Sequence, residues 1–167
     1  MMKGLIMLGL SAALALHGMT AGAQVGMTNT GDPRVAALLD EADLGYEVDG
    51  DNDFGLVFEF NDGRSQLVWV LSNTAELDAL EIREVWSIAY SSDTPLSERV
   101  ARRLLSQNAN VKLGAWQTRK MGDEYVALFA AQIAADTDVA TLVTTLQVVS
   151  ATADEMEIEL TGGDDEY

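Results

Sequence analysis

Residues 49–55 read DGDNDFG, with Asp49, Asp51 and Asp53 at alternate positions ahead of Gly55. Carboxylates at every second residue of a turn are how helix–loop–helix calcium sites present hard oxygen ligands, provided glycine holds the sixth position and glutamate the twelfth. Counted from Asp49, the sixth position is Phe54 and the twelfth is Phe60. A start at Asp51 puts Leu56 at the sixth. The flanking residues also alternate as strands do rather than at helical spacing. The segment therefore reads as a solvated hairpin turn, with weak calcium binding by Asp49, Asp51 and Asp53 as the alternative.

Few other residues offer chemistry. The chain has no cysteine, and its one histidine, His17, lies in a stretch that reads as a leader. A chain without that stretch has no imidazole or thiol, which removes Ser-His-Asp and cysteine nucleophiles, histidine acid/base work and the usual zinc, copper and haem ligand sets. The S-x-x-K, G-x-S-x-G, G-x-G-x-x-G and P-loop patterns are absent. Only carboxylates, Lys112, Lys120, tyrosines and hydroxyls remain. With 27 acidic residues some pair must lie close in space, so a carboxylate-only hydrolase ranks third among the readings. The expectation is a non-enzyme with no cofactor.

The leader is MMKGLIMLGLSAALALHGMTAGAQ: Lys3, an apolar run from Gly4 to Leu16, then Ala21-Gly22-Ala23 as a small-residue cleavage site. The run is short of the about 20 apolar residues a bilayer span needs. Cleavage between Ala23 and Gln24 places residues 24–167 in the periplasm or outside the cell, with no membrane insertion afterwards. The formal charge of −17 becomes −18 when Lys3 is lost, leaving 9 basic against 27 acidic residues. Such a field repels phosphate backbones, which excludes nucleic acid, and favours a basic protein segment or a divalent cation.

The remaining chain is one domain in length. Residues 24–31 form a loose arm. Asp32 and Pro33 open a helix carrying Val35, Leu38, Leu39 and Ala42 on one stripe, ending at Gly45. Strands follow at 46–48, at 54–60 with Phe54, Leu56, Phe58 and Phe60 on one face, at 65–72 after the Asn61-Asp62-Gly63 turn, and across 81–90 beyond a polar stretch at 73–79. Asp93, Thr94 and Pro95 announce a second helix reaching Asn108. Two strands, 111–119 and 124–130, are joined through Gly122, and a long helix from Asp136 carries Leu142, Leu146, Val149 and Met156. Residues 161–167, TGGDDEY, read as a frayed acidic tail. Arg99, Arg102 and Arg103 read as a solvated helix face, and Trp69, Trp86 and Trp116 as strand residues packed in the core.

The element order together with LLSQNANVKLGAWQTRKMGDEYVALFA and ATADEMEIEL resembles the YbjN family of bacterial sensory transduction regulators. That resemblance covers about residues 32–160 and implies a type III secretion chaperone-like α+β fold, α-β-β-β-(β)-α-β-β-α, with an antiparallel sheet, helices packed on one face, and a homodimer. It carries no catalytic set, so no functional residue is transferred by it. From the residues themselves, LVWVL (67–71) and YVALFA (125–130) are apolar on both strand faces. Three helices cover one sheet face, so the other should be half-apolar and available to a second copy or a protein client.

Overall fold

The computed structural model describes residues 30–167. The leader, its cleavage site and most of the arm lie outside the described residues. The nine elements come in the order expected: α1 (Pro33–Glu41), β1 (Glu47–Val48), β2 (Phe54–Glu59), β3 (Ser65–Leu77), β4 (Leu80–Ser92), α2 (Glu98–Asn108), β5 (Ala115–Met121), β6 (Glu124–Ala134) and α3 (Val139–Thr161). The six strands make one antiparallel sheet in the order β1-β2-β3-β4-β6-β5. This is the α+β class read from the sequence, with helices over one face. Among the described residues no helix is long and apolar enough to cross a membrane.

Period-two alternation divides each strand between two faces. Phe54 and Leu56 of β2, Val68 and Val70 of β3, Val85 of β4 and Phe129 of β6 point to the helices, where Leu39, Leu104, Leu142, Leu146 and Val149 meet them in one buried core. Trp116 joins this core, edge-on to Phe129 with centroids 5.3 Å apart. Burying each such large side chain contributes about 2–3 kcal/mol. The helices are capped as their sequences require: Asp32 accepts from the Arg34 N–H, Ser97 from Val100 and Asp138 from Thr141.

Several boundaries differ from the sequence reading: α1 stops at Glu41 rather than Gly45, β6 runs on to Ala134, α3 starts at Val139, and three further shifts have a visible cause. The polar stretch 73–79 is not a loop: β3 runs on to Leu77 and turns through Asp78, at φ 53°, into β4 at Leu80. This ribbon projects beyond the helices, so it has no core face to demand alternation. The second helix begins at Glu98 rather than at Pro95, because Ser97 provides the cap. Strand β5 starts at Ala115 rather than Val111, since Gly114 takes φ 81° and passes so close to β6 that a Cβ would sit 2.7 Å from the Ala130 carbonyl oxygen.

The β3–β4 ladder slips between Val70 and Thr74. Such a bulge leaves carbonyls without ladder partners, and Arg83, 2% exposed, fills the defect. Its guanidinium donates to the Leu71 and Ser72 carbonyls and to Asp32, the cap of α1. The Asp32 N–H in turn donates to Ser72 Oγ. One buried cation therefore ties the first helix to the irregular centre of the sheet. The Arg99/Arg102/Arg103 group does lie on a polar helix face: Arg102 pairs with Glu98 on the same helix, and Arg103 with Glu159 of α3.

Candidate functional site

The helix-free face carries a second apolar cluster. Trp86, Val126, Leu128 and Ala130 are buried there, with Trp69, Leu71 and Ile88 packed against them. The Trp69 and Trp86 rings stack at 6.3 Å with 28° between planes. Trp69 lies flat because its neighbour on β2 is Gly55, where a Cβ would come within 3.0 Å of the indole. Val57, two residues along the same face, is 65% exposed. So two of the three tryptophans form the floor of the open face, and only Trp116 belongs to the core under the helices.

That face is a trough rather than a plane. Along β6 the partner of Arg119 is Val126 and the partner of Glu84 is Gln132, a separation of ~20 Å on a straight strand. Yet the Arg119 guanidinium lies 2.7 Å from the Glu84 carboxylate. The sheet must curl toward its open side for these side chains to meet, and the bulge between Ile88 and Tyr90 of β4 supplies local bending. Curling also explains how Leu128 is fully buried with no helix above it.

Asp49, Asp51 and Asp53 form one wall of this trough, in a cavity of about 420 Å³ floored by Trp69 and Trp86 and faced by Arg119 and Met121. The turn they make is hydrogen-bonded within itself: Asp49 Oδ1 accepts from the Asp51 and Asp53 N–H groups, each at 2.9 Å, and the Asp49 N–H donates to the Asp53 carbonyl. Asp53 is fixed further by the Ser72 N–H at 2.7 Å, so the Arg83-filled bulge also sets this wall. Burial pushes the Asp53 carboxyl up from its ordinary range; the Ser72 bond opposes this, and the charges of Asp49 and Asp51 reinforce it. A cation placed here would relieve that repulsion.

Among the described residues, the one group of acids whose oxygens converge is elsewhere: Asp154, Glu157 and Asp165, within 4.8 Å of one another. Their common neighbour is Arg64. Its guanidinium bonds Asp154 at 2.7 Å, contacts Glu157 at 3.0 Å as an ion pair without hydrogen-bond alignment, and donates to the Gly163 and Asp164 carbonyls. Glu157 is fully buried, and burial raises its carboxyl above the ordinary range despite the N–H groups of Glu166 and Tyr167 that it accepts.

This cluster overturns the frayed-tail reading. After Gly162, at φ 85°, residues 163–167 turn back onto the sheet. Ser65 N–H reaches the Asp165 carboxylate, Leu67 N–H the Tyr167 main-chain oxygen at 2.9 Å, and the Tyr167 hydroxyl lies 2.9 Å from Ser91 Oγ. The signal was in α3: Asp154 and Glu157 fall among its buried residues, and buried acids need a cation and donors.

Fold and site together define a one-sided α+β module whose second sheet face is a curled apolar trough with an acidic wall. No protein-family model matches the chain, and no curated protein does. Among solved structures it is similar to YbjN from E. coli, a proposed transcription regulator, at 10% identity and a TM-score of 0.49, over 77% of this chain and 89% of that one. No residue role is transferred on that likeness.

Proposed function

We propose that this chain is a non-enzymatic binding module, exported from the cytoplasm, whose open sheet face receives an extended, apolar and basic segment of a protein partner. The observation that carries the reading is the Trp69–Trp86 floor beside Asp49, Asp51 and Asp53. Apolar burial would supply affinity, and the acidic wall, within a chain of net charge −17, would supply steering. The lack of imidazole and thiol in residues 24–167 supports binding over catalysis. The homodimer reading uses the same face, with a second copy as occupant.

Photo-crosslinking in living cells tests it, with the reactive residue at Val57 on the open face and, as control, at Leu105 on α2, which is 70% exposed. A discrete adduct from position 57 alone supports the proposal. Equal adducts from both positions, or none, refute it. Salt then separates the occupants: a basic client loosens as ionic strength rises, whereas two like-charged copies tighten. An adduct of twice the chain's mass that strengthens with salt would replace the client by the dimer.

A further inference from the structure

The parting of β3 from β4 holds something the open face alone does not explain. The ladder between these strands ends at Trp69 and Trp86. Beyond it, Ser87 Oγ donates to the Leu67 carbonyl, Gln66 Nε2 donates to the Ile88 carbonyl, and the Leu67 N–H is taken by Tyr167. The Tyr167 residue thus makes the bond an added strand would make. With Glu166 it closes a cavity of about 180 Å³ against Leu67, Trp69 and Ile88, which shares Trp69 with the trough.

We propose that Glu166 and Tyr167 are an intramolecular occupant of the partner's site, a strap that must lift before an extended segment bearing an aromatic side chain can dock. The inference rests on the open face being the docking face. Three observations carry it. The strap is loosely invested, since residues 162–166 are exposed and only Tyr167 is half-buried, which places it among the segments that open locally at low free energy. It is electrostatically the wrong sign, because Glu166 lines a slot that shares Trp69 with a trough already walled by aspartates; a lysine- or arginine-bearing segment fits better. The parting also leaves the Leu67 N–H without a ladder partner, because side chains rather than the β4 main chain meet the Leu67 and Ile88 carbonyls. The latch is separate from the face, for Arg64 and Glu157 grip the strap's main chain without entering the trough.

The test compares the protein with its Tyr167→Ala and Tyr167→Phe variants, using a dansylated KFKFK peptide as probe and hydrogen exchange at the Leu67 amide as a second readout. A strap seated about nine-tenths of the time reduces apparent affinity about tenfold, so Tyr167→Ala should bind the peptide about tenfold more tightly. Its Leu67 amide should exchange faster while Val68 stays protected. Tyr167→Phe, which keeps the ring and loses only the bond to Ser91, should fall between. Equal binding by all three proteins would overturn the strap and leave the docking face standing. No binding by any of them, with faster Leu67 exchange in Tyr167→Ala, would overturn both, making the strap a purely structural clasp.

Discussion

Replacing Arg83 by methionine should unfold the protein's centre more than any single surface change, and the amount follows from what Arg83 touches. The side chain is 2% exposed and bonds two bulge carbonyls and Asp32. Removing one partner of a buried ion pair costs about 3–5 kcal/mol. Two features favour the lower end: methionine keeps the apolar stem's packing, and Asp32 retains Arg34, which also pairs with Glu81. A loss of about 3 kcal/mol lowers Tm by roughly 10 °C in a domain of this size. Urea denaturation followed by tryptophan fluorescence would measure it. Asp32→Asn keeps the helix cap but not the charge, so the Arg83→Met/Asp32→Asn double variant should lose about 1–3 kcal/mol less than the two single losses added. A loss below about 1 kcal/mol, or strict additivity of the two changes, would show that the bulge is held by packing and that Arg83 is incidental to it.

Other outcomes follow from the same contacts. Burial alone would raise the Asp32 carboxyl, but the bonds from Arg34 and Arg83 overcome it and hold it below the ordinary range; the folded form therefore binds this proton less readily than the unfolded chain. Stability from Asp32 is full above about pH 3.9 and drains as pH falls further, so the gap between wild type and Asp32→Asn in an acid melt series should narrow there, and a constant gap would count against the ion pair. Gly55→Val should displace the Trp69 indole that lies 3.0 Å from its Cβ position, seen as a changed emission spectrum and weaker peptide binding; unchanged values would mean the trough floor is plastic. Asp51→Asn/Asp53→Asn should melt alike in millimolar calcium and in chelator, as should wild type, whereas a calcium-dependent rise confined to wild type would make the turn a metal site. Light scattering across a salt series should show any self-association strengthening with ionic strength, because each copy carries the same excess of acid.

The elements were legible wherever local periodicity and a cap agreed. Asp32-Pro33 and the phenylalanine alternation of β2 each state a structure within a few residues, and the long last helix, read from Asp136, formed two residues on under an Asp138 cap. The double-faced apolarity of β3 and β6 likewise gave the helix-free face. What periodicity could not carry was anything fixed by a partner distant in sequence. The ribbon at 73–79 is a strand because its ladder extends past the core. Arg83 reads as an ordinary exposed arginine until a bulge 11 residues away presents it with carbonyls. The acidic tail reads as frayed because nothing adjacent holds it; its anchors are Arg64, about a hundred residues earlier, and Glu157, a glutamate facing the core side of its helix.

That last residue shows how the site and the fold constrain each other. A carboxylate at position 157 is costly where it stands: burial raises its proton affinity, and the ion pair with Arg64 is imperfectly aligned. A leucine would avoid the burial of a carboxyl, but it would take a partner from Arg64 and give no acceptor to the main chain of residues 166 and 167. The contribution of Glu157 to stability is complete below about pH 4.3, where the unfolded side chain is also protonated, and is lost as pH rises through its higher folded value. The protein therefore keeps a costly buried carboxyl that, besides pairing with Arg64, holds the strap over the trough. Glu157→Leu tests the latch: it takes a partner from Arg64 and the acceptor from two main-chain donors, so it should lower Tm while speeding exchange at the Leu67 amide. A variant with Leu67 still protected would show that the strap seats itself without its latch.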